Sequence, residues 1–361
     1  MGIKGLTKFI KDKYPSIIKD CHIKDLRYKK IAVDTSLYLY KFKCVSSDQW
    51  LSLFINMISC LRKYDVHPVF IIDTGAPEEK SIEQQKRRNE VKKRNDLVKL
   101  VKEYIERYDE EDFIDPELME FYKKKKSSKK TDKLLLKKMG VSTESEIDFD
   151  IDFVKTEIIK MEGQNISITN EDKEKLRILF EIMGIQFLPA IAEGEATCSY
   201  LNHWGLVDGV MTEDSDSIAY GCSIFISKFN TGSGTCCVIE TDHLLKKMNI
   251  TREQLLDFCI MLQCDYNQRI PKVGPVNSFK LIMEHKSLDV IENQTSHNLD
   301  CLKYKRCREL FTCIQDTGEY KINYSKPPDF GRLEEFIEVN NLNVQFEKIK
   351  QSCIPQQISV E

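Results

Sequence analysis

The chain has 361 residues, 41% of them hydrophobic and 31% charged, with 54 Lys and Arg against 57 Asp and Glu. That balance excludes wholesale disorder, and no uninterrupted apolar run approaches the roughly 20 residues a membrane span needs. The N-terminal MGIKGLTKFI has no signal-peptide core and the 13 cysteines form no CxxC pairs, so the expectation is a soluble intracellular protein without a disulfide framework or zinc cage.

In chain order, KKIAVD (29–34) and PVFIID (68–73) are short β-branched runs, each closing on an aspartate. Between them Leu51, Phe54, Ile55, Ile58 and Leu61 fall at helical spacing, which predicts a helix over 48–64. The runs QFLP (186–189), GVMT (209–212), SIFIS (223–227) and CCVIE (236–240) predict further strands, with helical patterns at 171–183 and 195–204. Such alternation predicts an α/β fold with a mainly parallel central sheet and helices on both faces.

From about Ser81 the pattern changes. Residues 82–108 read as one long charged helix, 123–138 is lysine-rich, and 144–153 alternates acid with apolar residues. That alternation suits an edge strand, a partner-docking segment or no ordered element, and the last two are favoured. Charge is segregated as well: residues 80–102 hold nine Lys or Arg against three acids, and 141–175 hold ten acids against four Lys. A net charge of −3 can therefore hide a local basic footprint, though solvated helices show the same pattern. Residues 251–350 are predominantly helical, with a break at 270–275.

The aspartates are the informative feature. In an open α/β sheet, ligands bind beyond the carboxyl ends of the strands. Asp34 and Asp73 end predicted strands, and Asp214 and Asp216 follow the strand containing Val210. Glu193 and Glu195 lie after the strand at 186–189, at a helix start, and Asp265 ends the apolar helix 255–263. Each alone could be a cap or turn former. Seven gathered acids would raise one another's pKa, so the set makes sense around cations. Oxygen ligands without Cys or His select Mg²⁺, for which Mn²⁺ can substitute. Two such ions about 3.5–4 Å apart form a device for in-line phosphodiester hydrolysis.

MGIKGL (1–6), VDTS (33–36), EGEA (193–196), TEDSD (212–216), CDY (264–266) and KVGP (272–275) occur in this order. Together they resemble the XPG-type structure-specific 5′ nucleases, the family of flap endonucleases and related 5′ exonucleases, over roughly 1–100 and 180–290. The resemblance implies a PIN-like nuclease core with a helical arch insertion and a helix–two-turn–helix element. It implies that Asp34, Asp73, Glu193 and Glu195 mainly serve one Mg²⁺, and Asp214, Asp216 and Asp265 a second. Lys80 and Arg87, seven and fourteen residues after Asp73, match the family's catalytic Lys and Arg. Seven residues is nearly two helical turns, so the two share a helix face. Arg88, Lys92, Lys93 and Arg94 are expected phosphate contacts. Tyr40 matches an aromatic that stacks on a base, with a core position as the alternative. Residues 255–285 are similar to the helix–two-turn–helix element, where Lys272 and Gly274 would approach a DNA strand beside a K⁺ ion.

Four regions are expected within one composite domain: an N-terminal nuclease region (1–100), a divergent arch or cap (101–180), an internal nuclease region (181–290) and a C-terminal helical extension (291–361). The expected function is metal-dependent hydrolysis of DNA at 5′ flaps, nicks or junctions. The alternatives are a mainly 5′–3′ exonuclease, a metal-dependent RNase, or a non-catalytic junction-binding module. Branched or nicked DNA is the expected partner of a monomer with no membrane association. The C-terminal SCIPQQISVE carries no sliding-clamp peptide, so clamp recruitment is not expected. The expected location is the nucleus, or the site of viral DNA replication if the source is a virus. Two motif departures, QCDY at 263–266 and IDTGA at 72–76, alter the residues around Asp265 and Asp73 but preserve the spacing to Lys80 and Arg87.

Overall fold

The computed structural model describes residues 2–75, 78–128, 149–163, 166–191, 193–312 and 320–353. The chain divides into two compact units, one of residues 1–83 with 168–361 and the other of residues 84–167. In chain order the elements are α1 (Leu6–Lys13), β1 (Lys19–His22), β2 (Lys30–Asp34), α2 (Thr35–Val45), α3 (Trp50–Lys63) and β3 (His67–Ile72). Next come α4 (Ser81–Glu111), α5 (Pro116–Ser128), α6 (Ile151–Glu162), α7 (Asn170–Ile182), β4 (Gln186–Pro189), α8 (Gly194–His203), β5 (Gly209–Met211) and α9 (Asp216–Ala219). β6 (Ile224–Asn230), β7 (Thr235–Glu240), α10 (Thr241–Met248), α11 (Arg252–Leu262) and α12 (Pro275–His285) follow. The last are α13 (Leu288–Gln294), α14 (Tyr304–Thr312), α15 (Phe330–Val339) and α16 (Phe346–Cys353).

The first unit is built on a seven-stranded sheet in the order β1-β7-β6-β5-β2-β3-β4. The strands from β6 to β4 run parallel, while β7 and then β1 add antiparallel at one edge. The chain winds outward from β2 through β3 to β4, then returns to place β5 on the other side of β2. This reversal leaves a crevice at the carboxyl ends of β2 and β5, where ligands of doubly wound sheets bind.

Side chains on a strand alternate between its faces, and here both faces are covered, so the strands read as unbroken apolar runs. Ala32, Val69, Ile71 and Val210 join Leu6, Ile10, Leu201 and Phe258 in one core cluster. Ile31, Val33, Phe70 and Met211 join Phe54 and Ile58 of α3 and Leu179 and Phe180 of α7 in the other. Phe70 stacks on Phe180 with ring centroids 4.2 Å apart. Leu333 and Ile349 bring α15 and α16 onto this second cluster. Burial of each such side chain contributes about 1.5–3 kcal/mol.

Helix starts follow from local chemistry. Asp34 caps α2, its Oδ1 accepting from the Leu37 amide at 3.2 Å. Thr169 with Asp172 and Thr251 with Gln254 form reciprocal capping boxes for α7 and α11.

The second unit packs α4, α5 and α6 around Val98, Val101, Ile105, Leu118, Tyr122, Val154 and Ile158. Ion pairs Lys102–Glu162 at 2.6 Å and Arg107–Asp115 at 3.3 Å border that core.

The structure adds one strand and gives form to parts of two segments whose structure the sequence left open. β1, whose sequence is KDCH, shows no apolar alternation and was not expected; its backbone pairs with β7 from Lys19↔Val238 to His22↔Thr235. Within the segment at 144–153, the described residues 149–153 form no strand and are helical from Ile151. Asp150 caps α6 by accepting from the Phe153 amide at 2.9 Å, so the run ends in a helix start, and 144–148 lie outside the described residues. The lysine-rich 123–138 is helical to Ser128 in α5, and its remainder also lies outside them.

Candidate metal centre

Asp34 is the last residue of β2, Asp73 follows β3, and Asp214 and Asp216 follow β5, so three neighbouring parallel strands deliver four carboxylates to the crevice. Glu193 holds the N-cap position of α8 without a side-chain cap bond, and Glu195 lies in the first turn, where the helix dipole favours negative charge. Asp265 lies three residues beyond α11.

Hydrogen bonds and ion pairs tie these acids together. Asp73 Oδ1 accepts from the Gly194 amide at 2.5 Å. A Cβ on Gly194 would stand 2.8 Å from that oxygen and 3.4 Å from Asp34 Oδ1, so α8 can approach this closely only with glycine there. Thr212 Oγ1 donates to Asp34 Oδ2 at 3.1 Å and accepts from the Asp214 amide at 3.0 Å. Asp214 Oδ1 accepts from the Asp216 amide at 3.0 Å. Lys80, on a single turn after β3, bonds Glu193 Oε1 and lies 3.4 Å from both Glu195 Oε1 and Asp265 Oδ2. That turn is anchored by Arg306 of α14, whose Nε donates to Glu79 Oε1 at 2.7 Å. Gly2 takes φ of +81°, and a Cβ there would fall 2.1 Å from Asp214 Oδ1, so the first residues are also pressed against the cluster.

Among the described residues, Glu195, Asp214 and Asp216 each offer an oxygen within 4.8 Å of the others. All three are buried, and neither carboxylate oxygen of Asp216 has a hydrogen-bond partner among the described residues. A buried carboxylate is costly to leave unmatched, and a cation is the partner that suits it. Burial, then the neighbouring Asp73, push the Asp34 carboxyl up to about 7. Burial raises Glu195 well above the usual range, with Lys80 opposing, and raises Asp216 well above it with Asp214 adding to the effect. Asp214 is raised chiefly by burial. Burial lowers the Lys80 pKa, but Glu195, Glu193 and Asp265 outweigh it and the net shift is upward. An all-oxygen, carboxylate-rich donor set of this kind fits a hard divalent cation and not zinc.

The structure thus brings together Lys80 and all seven acids singled out from the sequence. Arg87 is half-buried on α4 in the second unit, with Arg94, while Arg88, Lys92 and Lys93 on the same helix are exposed. Tyr40 on α2 is 40% exposed and is not a core residue. Lys272 and Gly274 lie in the connection between α11 and α12, where Gln263 and Lys272 take φ of +89° and +63°. Gly274 has an ordinary φ of −93° and opens α12 with empty space on its Cβ side. Sequence reasoning missed Thr212, Gly194 and Tyr266, whose hydroxyl donates to Glu193 Oε2 at 2.5 Å. All three lie inside recognised motifs, Thr212 in TEDSD, Gly194 in EGEA and Tyr266 in CDY. The Tyr266 contact spans 73 positions and has no local signal.

Comparison with known proteins agrees with this geometry. The XPG N-terminal domain model matches residues 1–94 and the XPG I-region model matches 184–265. The "Probable RAD2-like endonuclease 369L" of Invertebrate iridescent virus 6 is 34% identical, over 97% of this chain and 91% of its own length. "Flap endonuclease 1" of Plasmodium falciparum is 26% identical, over 91% of this chain and 48% of its own length. Among solved structures, the catalytic core of Rad2 in complex with DNA substrate superposes with a TM-score of 0.63 at 18% identity, covering 96% of this chain and 99% of that one. The flap endonuclease-1 from Methanococcus jannaschii gives 0.56 at 19%, covering 94% and 96%.

Proposed function

The chain belongs to the XPG family of metal-dependent, structure-specific nucleases, and from that premise we propose that it hydrolyses DNA phosphodiesters at 5′ flaps, nicks or junctions. The observation that carries the reading is the buried carboxylate cluster at the β2/β5 crevice, with both oxygens of Asp216 lacking hydrogen-bond partners among the described residues.

Asp34, Asp73, Glu193 and Glu195 would hold one Mg²⁺, and Asp214, Asp216 and Asp265 a second. When bound, such ions supply a polarised water and charge stabilisation for an in-line displacement. The chain's own residues do the rest. Lys80 is held at the carboxylates by a short turn and presents an ammonium that can turn to a phosphate oxygen as charge develops there. Thr212 holds Asp34 and the Asp214 loop in register, and Gly194 lets α8 close on Asp73. Arg87 is the second cation proposed for the scissile phosphate. Exposed Arg88, Lys92 and Lys93 are suited to the phosphate backbone, which binds without reading sequence. Exposed Tyr40 is suited to stack on a base, and Lys272 and Gly274 open α12 to a duplex strand.

The test uses a 5′-labelled double-flap DNA and a blunt duplex, with Mg²⁺ and with EDTA. The expected result is release of the flap near its junction in Mg²⁺, no product in EDTA, and no product from Asp214→Ala. Undiminished cleavage by that variant would remove the site assignment. Stepwise short products from the blunt duplex alone would make the enzyme an exonuclease.

A further inference from the structure

Glu193 is held through both of its oxygens. Oε1 accepts from Lys80 Nζ, and Oε2 accepts from Tyr266 Oη at 2.5 Å. The Tyr266 hydroxyl is in turn 2.5 Å from the hydroxyl of Tyr220. Because a carboxylate can only accept, the Tyr266 proton is committed to Glu193, so the Tyr220 proton must be the one shared between the two phenols. The direction of the chain is fixed: Tyr220 donates to Tyr266, and Tyr266 donates to Glu193.

The rings that carry these hydroxyls are themselves clamped. Tyr220 and Tyr266 are 7% and 5% exposed, and neither ring can swing its hydroxyl away without leaving the core. Phe311 of α14 packs edge-on against both, with centroids 4.7 Å from Tyr220 and 5.4 Å from Tyr266. Tyr200 of α8 packs perpendicular to Tyr220 at 5.9 Å. The chain of hydroxyls therefore runs from the end of α9 to a ring beside Asp265, and then to the acid at the N-cap position of α8. It connects all three stretches that supply Glu193, Asp216 and Asp265.

We infer that Tyr266 and Tyr220 are positioning residues that keep the Glu193 carboxylate aimed into the metal centre when Lys80 leaves it. This rests on the metal-dependent reading above. If Lys80 turns toward a phosphate, Glu193 Oε1 loses its partner, and an unheld carboxylate on a helix N-cap would sample several rotamers. The bond from Tyr266 to Oε2 does not depend on Lys80 and fixes the carboxylate plane with Oε1 facing the cluster. Hydrogen-bond partners of metal ligands act in this way, and their loss typically weakens metal affinity or activity about 10–100-fold. Tyr220 acts one bond further out, by holding the Tyr266 oxygen in place.

The test measures Mn²⁺ binding to the DNA-free protein by electron paramagnetic resonance, for the wild type, Tyr266→Phe, Tyr220→Phe, the double variant and Asp73→Ala, which removes another ligand of the ion assigned to Glu193. Phenylalanine keeps the ring packing, and melting in EDTA checks that the variants are folded. Tyr266→Phe is expected to weaken Asp73-dependent Mn²⁺ binding, at the ion Glu193 would share, roughly tenfold and Tyr220→Phe roughly threefold, with the double variant no weaker than Tyr266→Phe. In flap cleavage at saturating Mg²⁺, Tyr266→Phe should lower kcat and leave the KM for DNA unchanged. Wild-type Mn²⁺ affinity in Tyr266→Phe would overturn the inference while leaving the metal centre intact, as would effects of the two substitutions that multiply. Mn²⁺ binding by the wild type that Asp73→Ala does not alter would overturn the metal centre and the inference with it.

Discussion

Asp34 gives the sharpest prediction about the metal-free protein. Its carboxyl is raised from 3.8 to about 7, first by burial and then by Asp73, with the Leu37 amide opposing. A shift of this size, at about 1.4 kcal/mol per unit, corresponds to about 4 kcal/mol between the two protonation states. The sign follows from linkage. The folded protein binds this proton more tightly than the unfolded chain, so stability is greatest below pH ~4, falls as pH rises toward ~7, and is flat beyond.

Asp34→Asn removes the titration while keeping the local structure. The amide oxygen still caps α2 by accepting from Leu37, and the Thr212 hydroxyl can rotate to accept from the new NH₂. In EDTA the wild type and Asp34→Asn should melt together at about pH 3.5 and below and diverge as pH rises. By pH 7.5 the variant should be the more stable by up to about 4 kcal/mol, on the order of 8 °C in Tm. Saturating Mg²⁺ should close the gap from the wild-type side, because an ion that binds only the folded form stabilises it by mass action. Parallel melting curves across this pH range, or a wild type that gains on the variant as pH rises, would refute the argument.

Replacing Lys80 with Met removes an ammonium that pairs with three of the proposed ligands; expected are Mn²⁺ binding at least as tight as in the wild type and a roughly 10²–10³-fold loss of kcat, read by spectroscopic titration and single-turnover cleavage. Gly194→Ala places a Cβ 2.8 Å from Asp73 Oδ1, so Mn²⁺ affinity should fall while the urea midpoint in EDTA changes little. Arg308 of α14 holds buried Asp257 through two bonds of 2.7 Å and Asp289 through a third. Arg308→Met leaves Asp257 uncompensated and should cost about 3 kcal/mol in urea denaturation, with a smaller loss in the double variant Arg308→Met/Asp257→Asn.

The part of this protein that was legible in its sequence is the part whose logic is local. Strands buried on both faces announce themselves as apolar runs, and Asp34 and Asp73 stand where those runs stop. The pairs Glu193/Glu195 and Asp214/Asp216 are separated by one residue each, so any loop that brings one acid to the crevice brings the other. Strand β1 was not legible, because an edge strand paired through its backbone needs no apolar pattern, and KDCH has none. The alternation at 144–153 left an edge strand, a docking segment and no ordered element all open, because Asp150, which caps a helix, falls in the same alternating register as its neighbours. The tyrosine chain was illegible in principle. Tyr220 and Tyr266 are 46 positions apart, and only the packing of α14 beneath both rings makes their hydroxyls meet.

Lys80 connects the stability of the site to its use. Its side chain is only 11% exposed and pairs with Glu193, Glu195 and Asp265, offsetting part of the negative charge that an ion would otherwise have to balance. The same ammonium is proposed to act on the scissile phosphate, and it cannot serve both partners at once. Ion binding at these carboxylates and release of Lys80 must then favour each other, because each removes the reason for the opposing state. A phosphate arriving beside the cluster adds to the same bias by offering Lys80 a new anionic partner. DNA should therefore tighten metal binding, and metal should tighten binding of the cleavable phosphate by the same factor. Lys80→Met should abolish most of that reciprocity even where it leaves both affinities measurable.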